Sequence, residues 1–264
     1  MSLKTQTAFS KLSELCEKVV ATTKRLEKMS LVGEFIAKLL PEEVEAAALL
    51  IIGQPFPRAS HRVLAISWAA LYDVLKEMFK PSTDEIGTLF RESGDLGEVV
   101  RRLYLKSGRV AQATLFPTPL TITEVYQTFT VIADVQGTGS RRRKTGHLRS
   151  LFMHATPLEA KYLTKILLGD QRIGFNEGML EGTIARAFNL PLPLVQRANM
   201  LTGDLGKVTR IAREEGITGL QKVRLQSFTP LLPMLAAQAK DVSEALLQHG
   251  GESAFEMKLD GARV

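Results

Sequence analysis

Two strings in this chain carry a hydroxyl, two glycines and an aspartate in the same order. They are Ser93-Gly94-Asp95-Leu96-Gly97-Glu98-Val99 and Thr202-Gly203-Asp204-Leu205-Gly206-Lys207-Val208. Hydroxyls and glycine amides at a helix start suit an anion, because the first N–H groups of a helix lack partners and the helix dipole favours negative charge there. Ser93, Gly94, Gly97, Thr202, Gly203, Gly206 and Lys207 are therefore candidates for holding phosphate. Thr22-Thr23-Lys24-Arg25, with Lys28, and Gly137-Thr138-Gly139-Ser140-Arg141, with Lys144, offer the same chemistry and add cations for charge-assisted bonds. The plainer reading of Gly-Asp-Leu-Gly is a loop with an aspartate N-cap, and Asp95 and Asp204 suit capping better than phosphate contact. The chain ends on a further constellation, Glu256-Met257-Lys258-Leu259-Asp260-Gly261-Ala262-Arg263 and then Val264. Its spacing, E-x-K-x-D-G-x-R, arises by chance in on the order of 1 chain in 10,000 of this length. The plain alternative is a solvated basic end beside an Asp-Gly turn.

The elements that must position these groups read as helices. Phe9, Leu12, Cys16, Val19 and Val20 recur at helical spacing, as do Val63, Ile66, Ala70, Val74 and Met78. Ser82-Thr83-Asp84-Glu85 is a capping-box start, and Pro41 and Pro157 each open a helix with acids in its first turn. The run around Thr121-Ile122-Thr123 reads as a linker and helix entry. The expectation is an all-α domain of roughly a dozen helices. The chain is also written twice. A shift of 116 lays Thr22-x-x-Arg25-x-x-Lys28 on Thr138-x-x-Arg141-x-x-Lys144, Pro41 on Pro157 and Gly53 on Gly169; the Gly-Asp-Leu-Gly strings match at a shift of 109. The seven-residue drop predicts one shorter loop in the second copy. Repeats over about 8–106 and 124–214, joined by a linker over about 107–123, should pack with approximate two-fold symmetry.

Composition narrows the functional classes. The 264 residues carry a net charge of +6, which makes polyanions the natural partner. No apolar run reaches the 18 residues of a membrane span, and the N-terminus has no signal-like apolar stretch, so an intracellular protein (cytoplasm or nucleoid) without membrane contact is expected. Cys16 is the only cysteine, which precludes an intrachain disulfide and suits a buried small hydrophobe. The four histidines lack metal-ligand spacing, and no metal site is expected in this chain.

Together these strings resemble the N-terminal DNA-binding domain of archaeal and eukaryotic ATP-dependent DNA ligases, over nearly the whole chain. The likeness includes the Gly137–Ser140 loop with its basic residues and Leu167-Leu168-Gly169-Asp170-Gln171-Arg172-Ile173-Gly174 running into the helix around Ala185. It also includes Gly203-Asp204-Leu205-Gly206 and Pro230-Leu231-Leu232-Pro233-Met234-Leu235-Ala236 leading toward Lys258. The resemblance implies an all-helical, pseudo-two-fold module over 1–245 that grips the minor groove and phosphates around a nick in duplex DNA, with backbone contacts that carry no sequence preference. It implies that 246–264 begins a nucleotidyltransferase (adenylation) domain, cut just after its motif. Lys258 would be the nucleophile toward the α-phosphate of ATP, Glu256 would recognise the adenine and Arg263 the ribose. ATP and Mg²⁺ would belong to the longer parent enzyme, with none expected on these residues alone, because an amine nucleophile needs neighbours that this stretch lacks. Gln112-Ala113-Thr114-Leu115-Phe116 is similar to the shortened clamp-binding motif of some archaeal ligases, which implies that Gln112, Leu115 and Phe116 dock on a sliding clamp. Two other classes stay open on the residues: a non-enzymatic helical scaffold for protein partners, and the N-terminal part of another lysyl-nucleotidyltransferase, such as an RNA ligase or an mRNA-capping enzyme.

Overall fold

The computed structural model describes residues 6–108, 119–233 and 238–256, and they form an all-α protein with fourteen α-helices. The first half comprises α1 (Phe9–Ala21), α2 (Arg25–Lys38), a 3₁₀ turn at Pro41–Glu43, α3 (Val44–Ile51), α4 (Trp68–Phe79), α5 (Thr83–Ser93) and α6 (Leu96–Ser107). The second comprises α7 (Ile122–Asp134), α8 (Ser140–His154), α9 (Pro157–Leu167), α10 (Glu177–Ala187), α11 (Leu192–Thr202), α12 (Leu205–Glu214) and α13 (Gly216–Lys222). The chain divides into compact units Met1–Leu232 and Pro233–Val264, and α14 (Val242–Gln248) belongs to the second. The boundary at Leu232 precedes the position near 245 at which the helical domain is expected to end.

Helices α1–α6 of the first half are matched in order by α7–α12 of the second, and α13 has no counterpart. α6 packs on α9 and α12 on α3, α4 on α8 and α10 on α2, α1 on α9 and α7 on α3. Every such pair maps onto its partner when the halves are exchanged, which is the signature of a pseudo-two-fold axis. The axis passes between the chain entries of α1 and α7. There the Phe9 amide donates to the Leu120 carbonyl (2.7 Å) and the Ile122 amide to the Thr7 carbonyl (3.1 Å), a reciprocal pair. This register is a third offset, 113, which lays the entry of α7 on that of α1. The expected shorter loop is the one between α9 and α10, with nine residues against sixteen between α3 and α4.

Burial explains why these helices occupy these places. α3 (VEAAALLI) is apolar almost all round, and seven of its eight residues are buried, as suits a central helix. α9 is its counterpart, with Ala160, Tyr162, Leu163 and Ile166 at 0–1% exposure. Glu43 and Glu159 are buried as well. Each returns to the backbone amide at the start of its own turn, Leu40 (3.0 Å) and Thr156 (2.7 Å), so their carboxylates complete helix entries. Phe9, Leu12, Cys16 and Val19 line the core as their spacing predicts; Val20 is half exposed. Burial pushes the Cys16 thiol up to about 12, which leaves it inert.

The periodicity from Val63 overruns its helix. α4 begins at Trp68, where the Ser67 hydroxyl accepts the Ala70 amide (3.3 Å); Val63 is exposed and Ile66 lies in the preceding loop. Ala65 there has φ +50°, which no helix accommodates. Ser82 accepts the Glu85 amide (3.1 Å) as predicted, while the Glu85 carboxylate turns to Lys106 (2.6 Å) and leaves the box half made.

Candidate nucleic-acid interface

One anion-attracting feature is the entry to α8. Gly137 (φ +81°) and Gly139 (φ +75°) are both exposed and left-handed, with nothing near the place where a Cβ would sit. The Ser140 amide closes this turn on the Gly137 carbonyl (3.1 Å). No side chain caps the helix and its first turn holds no acid. Instead it opens Ser140-Arg141-Arg142-Arg143-Lys144, cations on the positive end of a helix dipole, an arrangement that disfavours the helix until an anion arrives. Thr138, Gly139, Ser140 and Arg141 thus converge at one exposed junction. The pseudo-equivalent entry, α2, has Lys24 as its N-cap, again with no side-chain cap, and Arg25 exposed at its first position. The Thr22 hydroxyl accepts the Lys24 amide (3.2 Å) and donates to Glu27 (2.7 Å).

The structure gives the other expected phosphate residues different work. Lys28 is 8% exposed, and its ammonium donates to the carbonyls of Ile173 (2.8 Å) and Gly174 (3.2 Å). Lys144 donates to the Leu64 carbonyl (2.8 Å), the same bond in the other half. Both lysines staple the opposite repeat's loop. The Gly-Asp-Leu-Gly strings are helix junctions. Gly94 and Gly203 are the left-handed residues that end α5 and α11; Asp95 caps α6 through the Glu98 amide (3.1 Å), and Asp204 caps α12 through the Lys207 amide (2.9 Å). Gly97 and Gly206 are buried. A Cβ on Gly97 would lie 2.7 Å from the Lys161 carbonyl, and one on Gly206 would lie 2.8 Å from that of Glu45. The glycines therefore let α6 approach α9 and α12 approach α3, backbone to backbone. The Ser93 and Thr202 hydroxyls turn back to the carbonyls of Leu89 (2.8 Å) and Ala198 (2.9 Å). Of these strings Gly94 is exposed and Lys207 half-buried, with Arg172 donating to the Gly94 carbonyl (3.2 Å).

The equivalent aspartates sit in unlike fields. Burial opposes ionisation of Asp95, but hydrogen bonds from Lys165 and the Glu98 amide outweigh it and hold the carboxyl below its ordinary value. Asp204 is raised: burial dominates, and Glu45 adds repulsion against the Lys207 amide bond. Glu17 follows Asp95. Burial raises it, yet bonds from Lys161 (2.6 Å) and Tyr162 (2.7 Å) bring it below its ordinary value.

Sequence reasoning missed the surface that faces α8. An open groove of about 1230 Å³ between α4 and α8 is lined by Asp73, Lys76, Glu77 and Lys80 on one side and Arg141, Arg142 and Arg149 on the other. The i,i+4 spacing of Asp73 with Glu77 shows that this pair shares a side of α4. That this helix stands opposite α8 is not legible in the sequence. Glu256 is exposed. Lys258 and Arg263, and the linker residues Gln112, Leu115 and Phe116, lie outside the described residues. Among the described residues no His, Cys, Asp and Glu side chains gather to hold a metal ion, and no helix is long and apolar enough to cross a membrane.

Residues 8–185 match the family described as DNA ligase N terminus. The chain is 41% identical over 256 residues to a DNA ligase of Thermococcus fumicolans, covering 97% of this chain and 45% of that protein. It is 37% identical to a DNA ligase of Methanopyrus kandleri at the same coverage, and 36% to one of Archaeoglobus fulgidus, covering 97% and 46%. The chain spans about half the length of the curated relatives it matches.

Proposed function

This chain belongs to the DNA ligase N-terminus family, and from that premise we propose that it is the DNA-binding module of an ATP-dependent ligase that seals nicks in duplex DNA. The observation that carries the reading is the pair of uncapped, basic helix entries at α2 and α8, related by the pseudo-two-fold axis. Two phosphate grips of this kind suit the two-fold symmetry of a duplex backbone, and contacts to phosphate serve an enzyme indifferent to sequence. Gly137, Thr138, Gly139, Ser140 and Arg141 form one grip; Thr22 and Arg25 form the other.

In this reading Lys258 is the amine that bonds to the α-phosphate of ATP as the bond to pyrophosphate breaks, with Glu256 toward the adenine and Arg263 toward the ribose. Mg²⁺, held by parts of the parent enzyme that these residues do not supply, would neutralise the phosphates. Gln112, Leu115 and Phe116 are assigned to a sliding clamp, and the protein to the cell interior. Weaker clamp capture by Gln112→Ala with Phe116→Ala, at unchanged DNA affinity, would support that partner; equal capture would remove it.

The test of the central reading is a salt titration on nicked duplex DNA. Affinity should fall between about 50 and 200 mM salt with a log–log slope near −0.9 per phosphate neutralised, and Arg25→Ala or Arg141→Ala should each reduce the slope by about 1. A salt-independent affinity would overturn it. For the parent enzyme, Lys258→Ala should abolish covalent labelling by α-labelled ATP; labelling at the wild-type level would refute the nucleophile.

A further inference from the structure

The two helix entries share a Thr-x-x-Arg-x-x-Lys spacing, with Glu27 bonded to Thr22 in the first turn of α2 where α8 has Arg143, and they differ in what stands opposite them. Across the α4–α8 groove, Arg141 pairs with Asp73 (2.7 Å) and Arg149 pairs with Glu77, all four side chains 45–73% exposed. The equivalent contact in the other half is α2 against α10. There the offset of 109 places Gly182 and Arg186 where α4 has Asp73 and Glu77. α10 closes on α2: a Cβ on Gly182 would lie 2.8 Å from Met29 Cε, and one on Gly33 would lie 3.2 Å from Ala187 Cβ. Arg25 therefore faces no carboxylate from α10.

Exposed ion pairs of this kind are worth too little to be needed for holding α4 to α8, which are already joined through the common core. Their cost to DNA binding is larger. A phosphate arriving at the α8 entry must take Arg141 from Asp73, and must then sit beside two carboxylates in an open groove.

We propose that Asp73 and Glu77 are built-in competitors for DNA phosphate. They keep Arg141 and Arg149 paired in the free protein and yield them when the backbone enters, which makes the α8 grip the weaker and faster-releasing of the two. The inference rests on the reading of α8 as a phosphate grip. It predicts an unequal clamp in which the α2 entry holds while the α8 entry lets go, a useful property for a protein that must leave a sealed product. Charges at the rim of a binding surface act mainly on association, release and salt dependence, as this arrangement requires.

The experiment compares wild type with Asp73→Asn/Glu77→Gln on a nicked duplex across the same salt range. The variant should bind on the order of five- to tenfold tighter at low salt and dissociate more slowly. Its salt slope should steepen by less than the about 1.8 of two full phosphate contacts, because neither arginine then divides its charge between a phosphate and a carboxylate. Glu42→Gln/Glu215→Gln, which removes two exposed carboxylates away from the groove, serves as the control for net charge and should change affinity less than twofold. Adding Arg141→Ala and Arg149→Ala to the double variant should cancel the gain. If affinity and slope do not change on removing the two carboxylates while Arg141→Ala still weakens binding, the competition is refuted and the phosphate grip stands. If the gain survives without the arginines, or Glu42→Gln/Glu215→Gln matches it, only net charge is at work and the proposal falls. If neither arginine matters in any background, the reading of α8 itself is wrong.

Discussion

Asparagine at position 95 and asparagine at position 204 are the same chemical change at pseudo-equivalent positions, and the structure predicts opposite results. Both aspartates cap a helix through the same amide bond, and asparagine caps about as well as aspartate, so each variant keeps its cap and loses only a charge. In Asp95→Asn that charge is the partner of Lys165, whose side chain is 5% exposed. Breaking a fully buried pair costs about 3–5 kcal/mol. The Asp95 side chain is 25% exposed, so water shares the loss, and a cost of about 2 kcal/mol is expected. Among the described residues position 204 has no such partner. The offset of 116 puts Leu49 where Lys165 stands and Glu45 where Lys161 stands, so burial and Glu45 both disfavour the ionised form. Asp204→Asn should be neutral or stabilising by up to about 1 kcal/mol. Urea unfolding at pH 7, read by circular dichroism at constant m, measures both.

The pH dependence separates them further. The folded carboxyl of Asp95 lies below its unfolded value, so its contribution is complete above about pH 4 and is lost as pH falls through the lower value. That of Asp204 lies above its unfolded value, so its benefit exists when protonated and is lost as pH rises. Lowering the pH from 7 toward 4 should erase any gain of Asp204→Asn and leave the cost of Asp95→Asn in place. Equal effects of the two variants at pH 7, within about 0.5 kcal/mol, would refute the reasoning.

Two further perturbations test the reassigned residues. Gly97→Ala and Gly206→Ala should each destabilise by about 1–3 kcal/mol, since the new methyl meets a backbone carbonyl that cannot retreat; thermal unfolding within the wild-type range would show that the helices can separate freely. Lys28→Met should lower stability by about 1–2 kcal/mol through two orphaned carbonyls, while the salt slope of DNA binding stays at its wild-type value. A reduced slope would return Lys28 to the phosphate surface.

The helices, the doubling and the shorter loop are all legible in the amino-acid order, because apolar spacing and capping residues act locally and a repeat preserves both. The Pro157 entry with Thr156 and Glu159 is such a local device, and so is the left-handed turn at Gly139 that exposes the α8 amides. Val63 and Ile66 show the limit of the method, since apolar spacing persisted into a loop that Lys144 holds from the other repeat. The internal contacts of Gly97, Gly206, Lys28 and Lys144 were hidden for the same reason. Small residues and cations suit a phosphate and suit a close helix crossing equally well, and the choice depends on which backbone lies within 3 Å. The sequence by itself determined two equivalent basic entries. Only the tertiary structure decided that one of them faces Asp73 and Glu77 while α10 closes through Gly182 on the helix of the other, because pseudo-symmetric packing brings together residues that no local rule relates.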